Sequence, residues 1–357
     1  MTFENNIALQ TTSDHNIEIV NVSIGHPDKG QVLIHVRATG ICGSDIHFWK
    51  TGAIGELKVL GNCTLGHEAA GDIVGVGEGV RDVQVGDRVA IEPGIPCGNC
   101  FLCTGGNYNL CKDVQFIGVY PYHGSMQKYL IHDAKFIHKL PDKLSYEEGA
   151  LAEPVSVAYH GIQRAELELG SGVFIAGAGP IGLAALLLAS SLGACPIVIS
   201  DVNASRLEFA KRLVPSVKTY QINPKIKDTE NAAEIRKCFG KDEIDAPAFT
   251  LECTGIESSI ITGAYVTRRS GTLTLIGVGK DTINNFPFMH LSLAEIDVKF
   301  INRYHDSWPI VIKLMDQGII DVRPLITHRF SLSESITAMN VASDPSVHSI
   351  KVIIEDN

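Results

Sequence analysis

Four cysteines fall within fifteen residues, Cys97, Cys100, Cys103 and Cys111, spaced C-x2-C-x2-C-x7-C in PCGNCFLCTGGNYNLC. Four thiolates on a short glycine-rich loop fill the coordination sphere of a tetrahedral zinc ion, so such a site is closed to substrate and structural. An iron–sulfur cluster uses the same four-thiolate set and is the alternative. A second constellation is mixed: Cys42, Ser44 and His47 in CGSDIH, with His67 and Glu68 downstream. A thiolate, an imidazole and a carboxylate suit zinc. Three protein ligands leave one position for water or a substrate oxygen, which a catalytic ion requires.

A third pattern is GAGPIG at residues 177–182, with the spacing GxGxxG between an apolar strand-like run and a run of small apolar residues. Gly177 permits the tight turn, Gly179 lets the backbone approach a pyrophosphate, and Gly182 lets a helix pack close to a sheet. Pro180 and Ile181 lie between them at the same surface. Asp201 follows nineteen residues after Gly182, where a carboxylate accepts both ribose hydroxyls and repels a 2′-phosphate. Val202 supplies no compensating cation, so NAD is expected over NADP, and Arg206 is expected to cover the adenine.

These residues need elements to hold them. The first 150 residues carry alternating runs such as QVLIHVRATG, GDIVGVGEGV and VGDRVAI, the texture of a β-rich domain. From about Pro154 the apolar runs VFIAGAG, PIVISDV, VKTYQI, APAFTLECTG and GTLTLIGVG are separated by helical segments such as ASRLEFAKRL and NAAEIRKCFG. That alternation implies parallel βαβ units in a doubly wound sheet. The later runs VKFINRY and IKVIIE suggest a tail that returns to the first domain. The expected division is 1–153 for a catalytic domain with a metal lobe at 97–111, 154–294 for a dinucleotide domain, and 295–357 for the return.

With 357 residues the chain is too long for one ordinary core, which agrees with two domains. A formal charge of −10 argues against a nucleic-acid partner, since phosphate binding needs a basic surface. Residues 172–200 carry no charge, but glycine and proline punctuate them, so no membrane span is expected. No basic segment precedes an apolar stretch at the start, and a cytoplasmic location is expected. Nine cysteines in that setting imply metal ligation and free thiols, with Cys63, Cys195, Cys238 and Cys253 unpaired.

The segment GHEAAGDIVGVGEGV fits the zinc alcohol dehydrogenase signature G-H-E-x2-G-x5-G-x2-V at Gly66, His67, Glu68, Gly71, Gly77 and Val80. With CGSDIH, the four-cysteine lobe, VGDRVAIEPG, GAGPIG and NRYHDSWP, the chain resembles the medium-chain dehydrogenase family over nearly its whole length. Within that family it looks like the polyol branch of sorbitol, xylitol and L-arabinitol dehydrogenases. Glu153 in AEPVSV stands where alcohol-type relatives carry a further cysteine ligand, and Arg303 and Tyr304 match the substrate-side pair of the branch. HFWK, LECTGIESSI and IGVGKD are most similar to the fungal L-arabinitol group.

The resemblance implies an α/β fold: a GroES-like β-rich catalytic domain plus a Rossmann domain with a doubly wound parallel sheet. It implies two zinc ions per chain, NAD as cofactor, a small polyol as substrate and a homotetramer. Cys42, His67 and Glu68 would hold the catalytic zinc, with Glu153 as a direct or water-bridged fourth group. Cys97, Cys100, Cys103 and Cys111 would hold the structural one. Ser44, His47 and Glu153 would carry the released proton, and Phe48, Phe116, Glu153, Arg303 and Tyr304 would contact substrate. Ile276, Ile301, Asn302 and Arg303 would join the cofactor residues. The implied reaction is oxidation of a secondary hydroxyl to a ketone, with L-arabinitol first and xylitol or sorbitol as alternatives. Two other classes compete: a zinc-free quinone or enone reductase of the same fold, and a non-enzymatic crystallin-like or regulatory relative. Both predict a broken Cys42, His67, Glu68 set, and here the set is whole.

Overall fold

The alternating runs of the first 150 residues pair into antiparallel sheet in the computed structural model, which describes residues 3–356. In chain order its two principal sheets begin with β1 (Gln31–Gly40), β2 (Glu68–Val76), β3 (Arg88–Ile91), β4 (Tyr129–Asp133) and β5 (Ile137–Lys139). Six strands follow: β6 (Val173–Ala176), β7 (Ile197–Asp201), β8 (Lys218–Gln221), β9 (Phe249–Glu252), β10 (Thr272–Leu275) and β11 (Asp297–Phe300). The last two are β12 (Ile326–Ser331) and β13 (Lys351–Glu355).

The chain divides into two units. The first holds everything up to Glu153, then Trp308–Gly318 and the chain from Val322 onward. Its sheet runs β5-β3-β2-β1-β13-β12, with β4 also paired to β1. Strand β1 is long enough to pair with β4 at residues 31–35 and with β13 at residues 38–40. Val32, Ile34, Ala69, Ile73, Val89 and Ile91 form one apolar cluster over this sheet, the buried side of the alternation read in the sequence. Helix α1 (Gly43–Thr51) leaves the end of β1.

The second unit holds Pro154–Ser307 and Ile319–Asp321. Its sheet is parallel throughout, in the order β8-β7-β6-β9-β10-β11. The order reverses direction between β6 and β9, the switch point at which such sheets leave a crevice for a ligand. The uncharged stretch 172–200 resolves into β6, a helix and β7. That helix, which we call α3 (Pro180–Ser191), is buried from Gly182 to Ala189, so it has no polar face to charge. Among the described residues no helix is long and apolar enough to cross a membrane. The preceding helix α2 (Tyr146–Ala165) contains Pro154, and the division between the units falls at that residue.

One expected boundary is corrected. Strand β11 continues the parallel ladder, with Thr272 opposite Asp297 and Leu275 opposite Phe300. Residues 295–307 therefore belong to the second unit, and the chain rejoins the first at Trp308. A short strand that completes one sheet and one that begins another have the same local pattern, and only the pairing separates them.

Candidate active site

Cys42 follows the end of β1 and His67 precedes the start of β2. The register of these strands sets Gly40 opposite Glu68, which brings both ligand-bearing segments to one end of the sheet. The Cys42 sulfur, a His67 ring nitrogen and a Glu68 carboxylate oxygen all lie within 4.8 Å of one another. His67 and Glu68 are buried and Cys42 is half-buried.

Asp45, fully buried on α1, ties the two segments together. Its Oδ2 accepts the Cys42 N–H at 2.9 Å and its Oδ1 accepts the Gly66 N–H at 3.0 Å. The same Oδ1 stands 3.6 Å from His67 Nδ1, while Ser44 Oγ is 3.5 Å from His67 Nε2. A carboxylate behind a ligating imidazole fixes its ring orientation. Burial lowers the His67 pKa, but the Asp45 carboxylate and the Cys42 thiol outweigh burial and raise it well above the ordinary value. The environment thus favours a positive charge on or beside the ring, which a divalent cation supplies when it displaces the proton. The donor set fits zinc.

Two residues of this site were not foreseen from sequence. Asp45 had a signal, since it sits at the third position of α1 after Cys42, the spacing of a helix-start carboxylate. Lys351 had a fainter one, a cation at the start of the apolar run IKVIIE. Its ammonium donates to both Glu68 oxygens, at 2.7 and 2.6 Å. Glu153 is buried on α2 and stands outside the three-residue donor group. His47 is exposed.

The two aromatic wall candidates part company. The Phe116 ring lies 5.6 Å from the His67 imidazole and adjoins the site. Phe48 is only 3% exposed and packs among Leu9, Ile41, Leu65, Met126, Leu332 and Met339. Distance along the sequence from Cys42 gave its position, and the apolar side chains under α1 are its surroundings.

In the four-cysteine lobe, Cys100 and Cys103 sulfurs are 3.4 Å apart, Cys97 and Cys103 sulfurs 3.9 Å, and the Cys97 N–H donates to Cys111 Sγ at 3.4 Å. N–H groups of Asn99 and Cys100 hold the Cys97 thiol down to about 7. Desolvation and the neighbouring Cys100 push Cys103 up to about 12. Thiols this close oppose one another's ionisation unless a cation joins them, and the quartet fits a tetrahedral metal. All nine cysteines are free of disulfides.

In the second unit the GAGPIG turn joins β6 to α3. Gly177 has φ of 100°, and a Cβ on Gly182 would lie 1.9 Å from the Gly177 carbonyl oxygen, so turn and helix approach both demand glycine. Beside Gly179 the space is open except for Arg206 Nη1 at 4.0 Å, a cradle at a helix N-terminus of the kind that takes a pyrophosphate. Pro180 and Ile181 are half-buried there. Asp201, at the end of β7, accepts the Ala178 and Asn203 N–H groups, each at 2.8 Å. It therefore fixes the turn. Ile276 and Ile301 both approach Gly161 of α2, where a Cβ would come within 2.4 Å of Ile276. Asn302 is exposed, Tyr304 is buried, and Arg303 and Asp306 both adopt left-handed backbone at φ of 54° and 51°. Such backbone in non-glycine residues is strained, and strain of this kind gathers at ligand-binding segments.

Family models match both parts of the chain: the alcohol dehydrogenase GroES-like domain over residues 28–142 and zinc-binding dehydrogenase over residues 180–317. An L-arabinitol 4-dehydrogenase of Hypocrea jecorina is 46% identical over 91% of this chain and 85% of its own. The chain belongs to the zinc-dependent alcohol dehydrogenase family, in its polyol dehydrogenase branch. A sorbitol dehydrogenase of Gallus gallus is 39% identical over 93% of this chain and 92% of its own. Among solved structures, L-idonate 5-dehydrogenase from Escherichia coli is similar with a TM-score of 0.88 at 27% identity, over 100% of this chain and 99% of that one. This polyol dehydrogenase is thus an oxidoreductase acting on CH–OH groups of a small polyol, with zinc and a nicotinamide dinucleotide as cofactors. Its whole Cys42, His67, Glu68 set leaves the zinc-free reductase and the non-enzymatic relative without support.

Proposed function

We propose that this polyol dehydrogenase oxidises the C4 hydroxyl of L-arabinitol, giving L-xylulose, with NAD⁺ taking the hydride and one proton released. The observation that carries the chemistry is the buried mixed donor set of Cys42, His67 and Glu68. The choice of substrate is supported by the 46% identity to the Hypocrea jecorina enzyme, and sorbitol, supported by the 39% identity to the Gallus gallus enzyme, is the second reading. Xylitol is the third.

Cys42, His67 and Glu68 hold the catalytic ion, while the four cysteines at 97–111 hold a second, structural one. When bound, zinc lowers the pKa of the reacting hydroxyl and the nicotinamide accepts hydride. Asp45 keeps the His67 ring in its ligating orientation. Ser44 relays the hydroxyl proton, Glu153 accepts it, and exposed His47 passes it to solvent. The Phe116 ring excludes water beside His67. Arg303 and Tyr304 bind the remaining hydroxyls, with Arg303 shared with the cofactor. Gly177, Gly179, Pro180, Ile181 and Gly182 cradle the pyrophosphate, Asp201 selects NAD at the ribose, and Arg206 covers the adenine. Ile276, Ile301 and Asn302 complete the nicotinamide side.

We also propose a cytosolic homotetramer. Nine cysteines, none of them in a disulfide, support a reducing compartment. Phe288, Met289, Leu293 and Phe300 are each at least 60% exposed in the second unit, and among the described residues β11 has a strand partner on one side only. An exposed apolar patch beside an open strand edge is what self-association covers. The deciding experiment measures NAD reduction across four- to six-carbon polyols, with light scattering for mass. Highest kcat/KM on L-arabinitol supports the reading, and a preference of about tenfold or more, roughly 1.4 kcal/mol, for D-sorbitol overturns it.

A further inference from the structure

Lys351 opens β13, and its ammonium is 2% exposed. An ammonium is buried only where its donors and its charge are met. Here two donors go to Glu68 and the third to the Ile41 carbonyl at 3.1 Å. Ile41 precedes Cys42 and Glu68 follows His67, so one ammonium bonds to both ligand-bearing segments. The carboxylate it holds occupies a slot that Gly40 leaves. A Cβ on Gly40 would lie 2.1 Å from Glu68 Oε2, so any other residue there would displace the carboxylate. The charge count points the same way. The Cys42 thiolate and the Asp45, Glu68 and Glu153 carboxylates exceed the charge of a divalent cation by two, and Lys351 supplies a buried positive charge against that surplus.

We propose that Lys351 and Gly40 are positioning residues of the metal centre: Lys351 offsets part of the surplus acid charge and holds Glu68 in the slot that Gly40 keeps open. With a metal held by Cys42, His67 and Glu68, the ammonium would keep the Glu68 carboxylate in place. This rests on Cys42, His67 and Glu68 being the catalytic metal site.

The test is zinc release from the purified holoprotein into a chelator, read by metal analysis and a chromogenic indicator, with NAD binding followed in parallel. Cys42→Ser identifies the signal of this site against that of the four-cysteine lobe. Lys351→Met is expected to weaken zinc binding here by about 10- to 100-fold, leaving lobe zinc and NAD affinity unchanged, while Lys351→Arg restores most of it. Gly40→Ala, with the lysine intact, is expected to weaken the same zinc. If native protein shows no zinc at this site, the metal-centre reading itself fails. If native zinc is present, unchanged affinity in both Lys351→Met and Gly40→Ala overturns the inference. Should Lys351→Met not fold, unchanged affinity in Gly40→Ala alone overturns it.

Discussion

Asp201 Oδ2 lies between two partners, the Ala178 N–H at 2.8 Å and the Arg206 guanidinium at 3.9 Å. The residue expected to choose the cofactor also braces the phosphate turn. Asp201→Ser combined with Val202→Arg removes a carboxylate facing a 2′-phosphate and adds a cation on an exposed position. The NAD-to-NADP ratio of kcat/KM should fall by about tenfold or more, roughly 1.4 kcal/mol. Because serine cannot keep both backbone bonds, affinity for both cofactors should fall together. An unchanged ratio would remove Asp201 from the ribose.

Cys100→Ser should reduce zinc from two ions to one per chain and lower the melting temperature, since a closed site contributes directly to folding. Activity per folded molecule should be kept. Plasma metal analysis beside active-site titration checks both. Lost turnover in a folded variant would make the lobe part of the chemistry.

Phe48→Tyr places a phenol among Leu9, Ile41 and Met126. A buried hydroxyl without a partner costs about 1–3 kcal/mol, so the urea midpoint should drop. Relative activity on D-sorbitol and L-arabinitol should not move. A rise in the sorbitol ratio without loss of stability would return Phe48 to the substrate wall.

Glu355 and Glu147 share Arg329, whose Nη2 is 3.1 Å from Glu147 and whose Nε is 3.9 Å from Glu355. Burial and the adjacent Glu147 push Glu355 up to about 7 from 4.5. Between those values the folded chain holds a proton that the unfolded chain has released, so this group's stability contribution declines as pH rises through the window. Glu355→Gln should flatten that decline in thermal melts and raise the melting temperature at about pH 8. An identical slope in both proteins would assign the effect to other groups.

Local signals in the sequence carried the donor residues, the glycine turn and the switch from β-rich to alternating texture. Each of those depends on near neighbours: Cys97 to Cys111, Gly177 to Gly182, His67 beside Glu68. What the sequence hid is long-range or directional. Lys351 meets Glu68 only because β1 sits between β2 and β13. Phe48 turns into the core because of what packs under α1, which no spacing encodes. Residues 295–307 change unit because β11 finds β10. Asp201's bond to Ala178 arises from the parallel neighbours β6 and β7, whose ends lie side by side.

Lys351 and Glu68 are 283 residues apart in the chain, and the whole of Pro154–Ser307 lies between them. On a ribosome adding about 5–20 residues per second, roughly 15–60 s separate the two ends of that ion pair. During this interval the dinucleotide unit is completed while the acidic pocket still lacks its ammonium and β1 lacks the sheet neighbour that β13 supplies. The part of the molecule made first is therefore finished last: the segments that carry Cys42, His67 and Glu68 gain their shared ammonium only after β13 has left the exit tunnel.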